Sequence, residues 1–282
     1  MTAAALKDPR RYFEAVQTRE TEASAPPVCL YLEVTNRCNL LCETCPRTFE
    51  ALEPPTDMSW ELFTSIVDQV PDVGRVVLHG VGEPMLVRSL PRMIRFLKDR
   101  GVYVLFNTNG TLLSPKKHQA IIDTGLDELR VSLDAADAKS FLLVRGKNFF
   151  DRIVRNVRQF TEFQHTIGAT LPRVSLWLTG LKETIDQLPD FVRLASSMGV
   201  REVHLQRLVY DVAGYGLARP ESSLFETLRT DESRAIEEAT ALASDRGGGR
   251  RPRGLGRHHR HRRCTWRRRR GEGRVSQFAG RQ

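Results

Sequence analysis

The chain has 282 residues, 40% of them hydrophobic, enough for one α/β domain with a true core and additional segments. No run of 18 apolar residues occurs, and the N-terminus carries Lys7, Asp8, Arg10, Arg11 and Glu14, so neither a membrane-spanning helix nor a secretory signal is expected. The net charge of +9 is local: residues 246–282 hold 14 Arg and one acid, Glu272, leaving 29 bases against 33 acids in residues 1–245. The body of the chain is therefore not built for nucleic acid, and a cytoplasmic protein with reduced thiols is expected.

Residues 1–27 read as a leader ending at Ala25-Pro26-Pro27. An alternation of strand and helix follows. Val28 to Val34 is a β-prone strand, and Trp60 to Val70 a helix with Ser59 as N-cap. Arg75 to Leu78 is the second strand. Leu90, Met93, Ile94 and Leu97 fall at the spacing of one helical face, closed by Gly101. Val102 to Phe106 is a strand, Pro115 to Thr124 a helix closed by Gly125, and Glu128 to Leu133 a strand. Phe150, Ile153, Val154 and Val157 mark a helix, Val174 to Leu178 a strand, and Leu188, Phe191, Val192 and Ala195 a helix closed by Gly199. Glu202 to Leu205 is the sixth strand and Asp231 to Ala243 the last helix. Six strands alternating with helices imply parallel pairing through right-handed crossovers. Periodicity does not choose between an open doubly wound sheet and a barrel.

Three of the five cysteines, Cys38, Cys42 and Cys45, lie within eight residues. In a reduced compartment such spacing points to metal binding rather than disulfides. Thiolates suit iron–sulfur clusters and zinc. Three ligands would leave one iron of a cubane open, whereas structural zinc takes a closed set of four, which His79 or Cys29 would have to complete. The turns after strands two, three and four carry His79-Gly80-Val81-Gly82-Glu83-Pro84, Asn107-Thr108-Asn109-Gly110 and Ser132-Leu133-Asp134. With the cysteine loop they all sit at carboxyl ends of predicted parallel strands, the face on which such folds build their sites.

The Cys-x3-Cys-x2-Cys spacing resembles the signature of the radical S-adenosylmethionine superfamily, and the three later turns resemble that family's following elements over residues 28–210. The resemblance implies an α/β fold, a partial (β/α)6 barrel, and an enzyme. It implies that Cys38, Cys42 and Cys45 hold a [4Fe–4S] cluster whose open iron is chelated by S-adenosyl-L-methionine. It further implies that Gly80, Gly82, Glu83 and Pro84 form the turn receiving the methionine amino group. Ser132 and Asp134 are then candidates for the ribose hydroxyls, with Asn109 a further cofactor contact. A low-potential electron donor such as a flavodoxin or ferredoxin, and reductive formation of a 5′-deoxyadenosyl radical that abstracts hydrogen from a substrate, follow from the same resemblance. The substrate is open, with a peptide or cofactor precursor as the guess, and no catalytic side chain is singled out.

Each site residue has a plainer alternative. Ser132 is also an ordinary strand-end hydroxyl, Asp134 also a cap, and Asn109-Gly110 also a turn dipeptide. Cys29 is expected as a small buried residue, His79 in a structural role, and Trp177 and Phe191 in the core. Gln206, ending the sixth strand, is a candidate to face the adenine or the substrate, with nothing in the sequence to fix which. A non-catalytic iron–sulfur or zinc module is the competing class. Residues 28–245 are expected to be the core domain and 246–282 an unstructured tail. Arg263-Cys264-Thr265-Trp266 resembles the start of the family's cysteine-rich auxiliary domain but dissolves into arginines. A frame-shifted read of a GC-rich gene is the favoured account over a basic arm for polyanions, because no aromatic residues interleave as on a stacking surface.

Overall fold

Short apolar strands punctuated by capped helices give one repeated unit. In the computed structural model the described residues are 26–50, 53–210, 214–224 and 228–246. The strands are β1 (Cys29–Leu32), β2 (Arg75–Leu78), β3 (Tyr103–Thr108), β4 (Glu128–Ser132), β5 (Arg173–Thr179) and β6 (Glu202–Gln206). The helices among the described residues are α1 (Pro46–Phe49), α2 (Trp60–Asp68), α3 (Leu90–Lys98), α4 (Pro115–Ile122), α5 (Ala138–Arg145), α6 (Phe150–Thr166), α7 (Leu188–Ser197) and α8 (Thr230–Arg246). The leader and tail expectations, residues 1–27 and 246–282, lie outside the described residues except for 26–27 and for Arg246, which ends α8.

The strands form one six-stranded sheet in the order β1-β2-β3-β4-β5-β6, and every adjacent pair is parallel. This order decides what periodicity left open. A doubly wound sheet reverses direction at a switch point, whereas here every crossover steps the same way, as in a barrel. Six strands with no β6–β1 pairing make the barrel partial.

The predicted caps behave as expected. The Ser59 side chain accepts from the Leu62 N–H, and Leu90, Met93, Ile94 and Leu97 are all buried. One face of the sheet, with Leu78, Phe106, Leu129 and Leu176, packs on Phe63, Phe141, Phe160 and Phe191 from the surrounding helices. Burying each such side chain stabilises the fold by roughly 1.5–3 kcal/mol.

Two expectations need correction. Trp177 is half-buried, not core: its neighbours Leu176 and Leu178 face the helices, so it stands on the opposite, inner face. There it lies beneath the Arg130 guanidinium (4.4 Å) and stacks on His204 (4.5 Å). Cys29 is likewise half-buried rather than buried, and burial raises its thiol pKa. Strand alternation, not hydrophobicity, decides both positions. Phe191 is in the core as expected.

Candidate functional site

The carboxyl ends of β1–β4 bring the four predicted segments together. After β1 the chain turns out of the sheet, and Thr35 forms an isolated antiparallel bridge with Asp57. Thr35 Oγ1 donates to Asp57 Oδ1 (2.7 Å) and Arg37 Nε donates to the same oxygen (2.9 Å). The Asn36 side chain accepts from the Thr56 N–H (2.7 Å) and donates to the Pro54 carbonyl (3.0 Å). These bonds hold the base of the cysteine loop.

The C-terminal end of α5 holds its far side. The Glu43 N–H donates to the Val144 carbonyl (2.8 Å) and the Leu41 N–H to the Arg145 carbonyl (3.4 Å). Gly146 follows with φ of 70°, and a Cβ there would overlap the Leu41 carbonyl. Lys147 Nζ donates to the Asn39 carbonyl (2.9 Å), and the Leu217 N–H to the Glu43 carbonyl (2.7 Å). The Cys45 N–H closes a turn on the Cys42 carbonyl (3.1 Å), after which Pro46 begins α1.

All three cysteines are half-buried free thiols. Asn109 Nδ2 donates to Cys38 Sγ (3.8 Å) and Arg145 Nη1 to Cys42 Sγ (3.6 Å). Burial raises the Cys42 and Cys45 thiol pKa values, opposed at Cys42 by Arg145 and at Cys45 by the backbone and charge of Arg47. Among the described residues, no three His, Cys, Asp or Glu side chains gather closely enough to enclose a single ion. Three thiolates from one loop suit a cubane that keeps one iron open, whereas structural zinc takes a closed set of four. The donor set fits the cluster.

The glycines of the β2 turn serve loop contact. A Cβ on Gly80 would overlap the Glu33 side chain, and one on Gly82 would overlap the Thr35 carbonyl and crowd that of Arg37. Pro84 is buried and starts a short 3-10 turn to Leu86. Glu83 is 2% exposed and its carboxylate clasps two turns. Oε1 accepts from the Met85 N–H (3.0 Å) and Thr108 Oγ1 (2.8 Å), and Oε2 accepts from the Asn109 N–H (2.7 Å). Burial raises its pKa, opposed by those donors and by Lys117. Asn109, also buried, donates to Asn39 Oδ1 (2.8 Å), while its Oδ1 accepts from the Thr111 hydroxyl (2.6 Å).

Ser132 is half-buried, and its hydroxyl has no protein partner among the described residues. Asp134 differs. Its Oδ1 accepts from the Thr179 N–H (2.8 Å), and its Oδ2 is paired with Arg145 Nη2 (2.6 Å). Each oxygen takes one protein donor, so the carboxylate anchors Arg145 to the end of β5 and keeps further acceptor capacity on both oxygens. His79 is exposed at the end of β2, and Gln206 is exposed at the end of β6, with Nε2 donating to Thr179 Oγ1 (3.4 Å). Among the described residues, Asn107 Oδ1 near the carboxyl end of β3 and Arg145 Nε are buried without a hydrogen-bond partner. Unmet hydrogen-bonding capacity of this kind suits a polar ligand such as S-adenosylmethionine.

Sequence reading missed α5, and with it Arg145. Asp137 at the N-cap, accepting from the Lys139 and Ser140 N–H groups, and Gly146 at the C-terminus were the available signals. Phe141, Val144 and Arg145 form the buried stripe of that helix, and an arginine in such a stripe marks a charge needing a buried partner. Asn39 and Thr111, which complete the network around Asn109, carry no such signal.

A sequential parallel barrel, incomplete at six strands and bearing a braced three-cysteine loop at its carboxyl face, defines a class of thiol-bearing partial-barrel proteins. Residues 32–195 match the model of the radical SAM superfamily, and the chain belongs to that superfamily. It is 28% identical over 183 residues to the tungsten-containing aldehyde ferredoxin oxidoreductase cofactor-modifying protein of Pyrococcus furiosus, covering 64% of this chain and 51% of that protein. It is 28% identical to the mycofactocin maturase of Mycolicibacterium smegmatis, covering 61% of this chain and 43% of the relative. The chain thus spans about half the length of the curated relatives it matches. Streptococcus suis SuiB bound to S-adenosylmethionine shares the fold, with a TM-score of 0.62 at 18% identity over 78% of this chain and 48% of that one. No helix among the described residues is long and apolar enough to cross a membrane.

Proposed function

We propose that this chain is a radical S-adenosylmethionine enzyme whose Cys38, Cys42 and Cys45 hold a [4Fe–4S] cluster, within a core domain of residues 28–245. The observation that carries the reading is the braced loop, which offers three thiols and places side-chain N–H donors against two of the sulfurs. Bound together, the cluster and S-adenosylmethionine supply a 5′-deoxyadenosyl radical after one-electron reduction.

The chain's own residues bind, orient and shield. Gly80, Gly82 and Pro84 press the β2 turn against the cysteine loop. With the Glu83 carboxylate shared among three protein donors, the backbone carbonyls of that turn are left to receive the methionine ammonium. Ser132, whose hydroxyl lacks a protein partner, is assigned to a ribose hydroxyl. Asn109 holds Cys38 and the β3 turn in place, and Asp134 anchors Arg145. Packing of the loop against α5 and residues 214–218 leaves the three thiols half-buried and partly shielded from water.

Its substrate is assigned to the peptides and cofactor precursors. The support is in the names of relatives, which include a peptide cyclase and a cofactor-modifying protein. The electron comes from a low-potential carrier such as a flavodoxin or ferredoxin. Anaerobic reconstitution with iron and sulfide, then reduction with S-adenosylmethionine, tests the reading. A brown protein that releases 5′-deoxyadenosine is expected. A colourless protein with stoichiometric zinc would replace it with a structural metal module.

A further inference from the structure

Among the described residues, Arg145 is both buried and in contact with the sulfur of one cysteine of the loop. Arg145, 9% exposed, closes α5 with its guanidinium inside the protein. Nη1 donates to Cys42 Sγ (3.6 Å) and Nη2 pairs with Asp134 Oδ2 (2.6 Å). The second Asp134 oxygen accepts from the Thr179 N–H at the end of β5, so the guanidinium is fixed through the sheet itself. The Arg145 carbonyl accepts from Leu41 in the cysteine loop, and Gly146 abuts the same residue. Nε is buried without a protein acceptor.

We infer that Arg145 is a positioning residue that sets the reduction potential of the cluster, by donating to Cys42 sulfur from a place locked by Asp134. This rests on the cluster assignment above. A cubane with three thiolates gains negative charge on reduction. A buried cation at hydrogen-bond range stabilises that added electron, and burial of the guanidinium limits its screening by water. The Asp134 carboxylate weakens the effect, but it occupies Nη2 while Nη1 donates to the sulfur. Bridging sulfides of a cubane are also acceptors, and the orphan Nε is a donor left over from the protein's own pairing. A guanidinium keeps its proton in proteins, and the Asp134 carboxylate beside it balances its charge inside the fold.

The test is a potentiometric titration of reconstituted protein without S-adenosylmethionine, followed by the paramagnetic signal of the reduced cluster. Iron and sulfide analysis on the same samples shows separately whether a cluster is present; its absence from the unaltered chain would defeat the cluster assignment, not the role of Arg145. Arg145→Gln is expected to weaken the cluster's affinity for its electron about tenfold or more, a fall of about 59 mV for one electron. Arg145→Lys should stay near the unaltered value. Because Arg145→Gln leaves Asp134 buried and unpaired, the double variant Arg145→Gln/Asp134→Asn removes both charges together and should also fall. A cluster of full iron content whose potential is unchanged in both neutral variants overturns the inference. So does an unchanged potential accompanied by loss of S-adenosylmethionine affinity alone.

Discussion

The two sides of the sheet's architecture are held by different physics. Where β2–β5 meet the helices, Phe106, Leu129, Leu176 and Phe160 are fully buried and cohere through non-directional contact. At the carboxyl ends of the strands, cohesion is counted atom by atom. Glu83 accepts three bonds, Asn109 joins three segments, and Asp134 ties β5 to Arg145. Volume matters in the first region and the identity of individual atoms in the second.

Substitutions at matched scale break or sharpen that contrast. The largest effect is expected at the loop: Cys42→Ala should abolish cluster retention and deoxyadenosine release while the far-ultraviolet circular dichroism stays unchanged. Full iron content in that variant would remove Cys42 from the ligand set. In the core, Phe160→Ala should cost about 3–5 kcal/mol in urea unfolding. Met93→Leu, which nearly conserves volume, should cost less than about 1.5 kcal/mol.

At the site, small changes should be expensive. Gly146→Ala forces a side chain at positive φ against the Leu41 carbonyl, and about 2–4 kcal/mol of destabilisation is expected from thermal unfolding. Glu83→Gln keeps the shape but turns an acceptor into a donor facing one of its N–H partners, with an expected loss of about 1–3 kcal/mol. If that isosteric change proves as harmless as Met93→Leu, the contrast between the regions fails. The smallest effect is expected at Ser132→Ala: unchanged stability, and S-adenosylmethionine binding weakened by about 1 kcal/mol in calorimetry on reconstituted protein.

Much of the framework was legible because helices and strands advertise themselves by period and cap. The β2 strand, the α3 stripe and the Ser59 cap fall where the pattern puts them. The cysteine spacing and the glycine turn are equally local, as each must be written in consecutive residues to form a loop. The α5 helix escaped because Arg145 interrupts the apolar stripe that would have marked it. Trp177 was misplaced because an aromatic side chain reads as core until its face of the strand is known.

The sequence by itself determined six strand–helix units, a three-thiol loop and the superfamily signature, because those features depend on neighbours along the chain. Tertiary structure decided the sequential strand order. It also decided which protein donors Glu83 and Asp134 meet, and that Arg145 meets Cys42 from 103 residues away. Such partnerships are contacts between distant segments, and nothing in local propensity encodes which buried charge will face which acceptor.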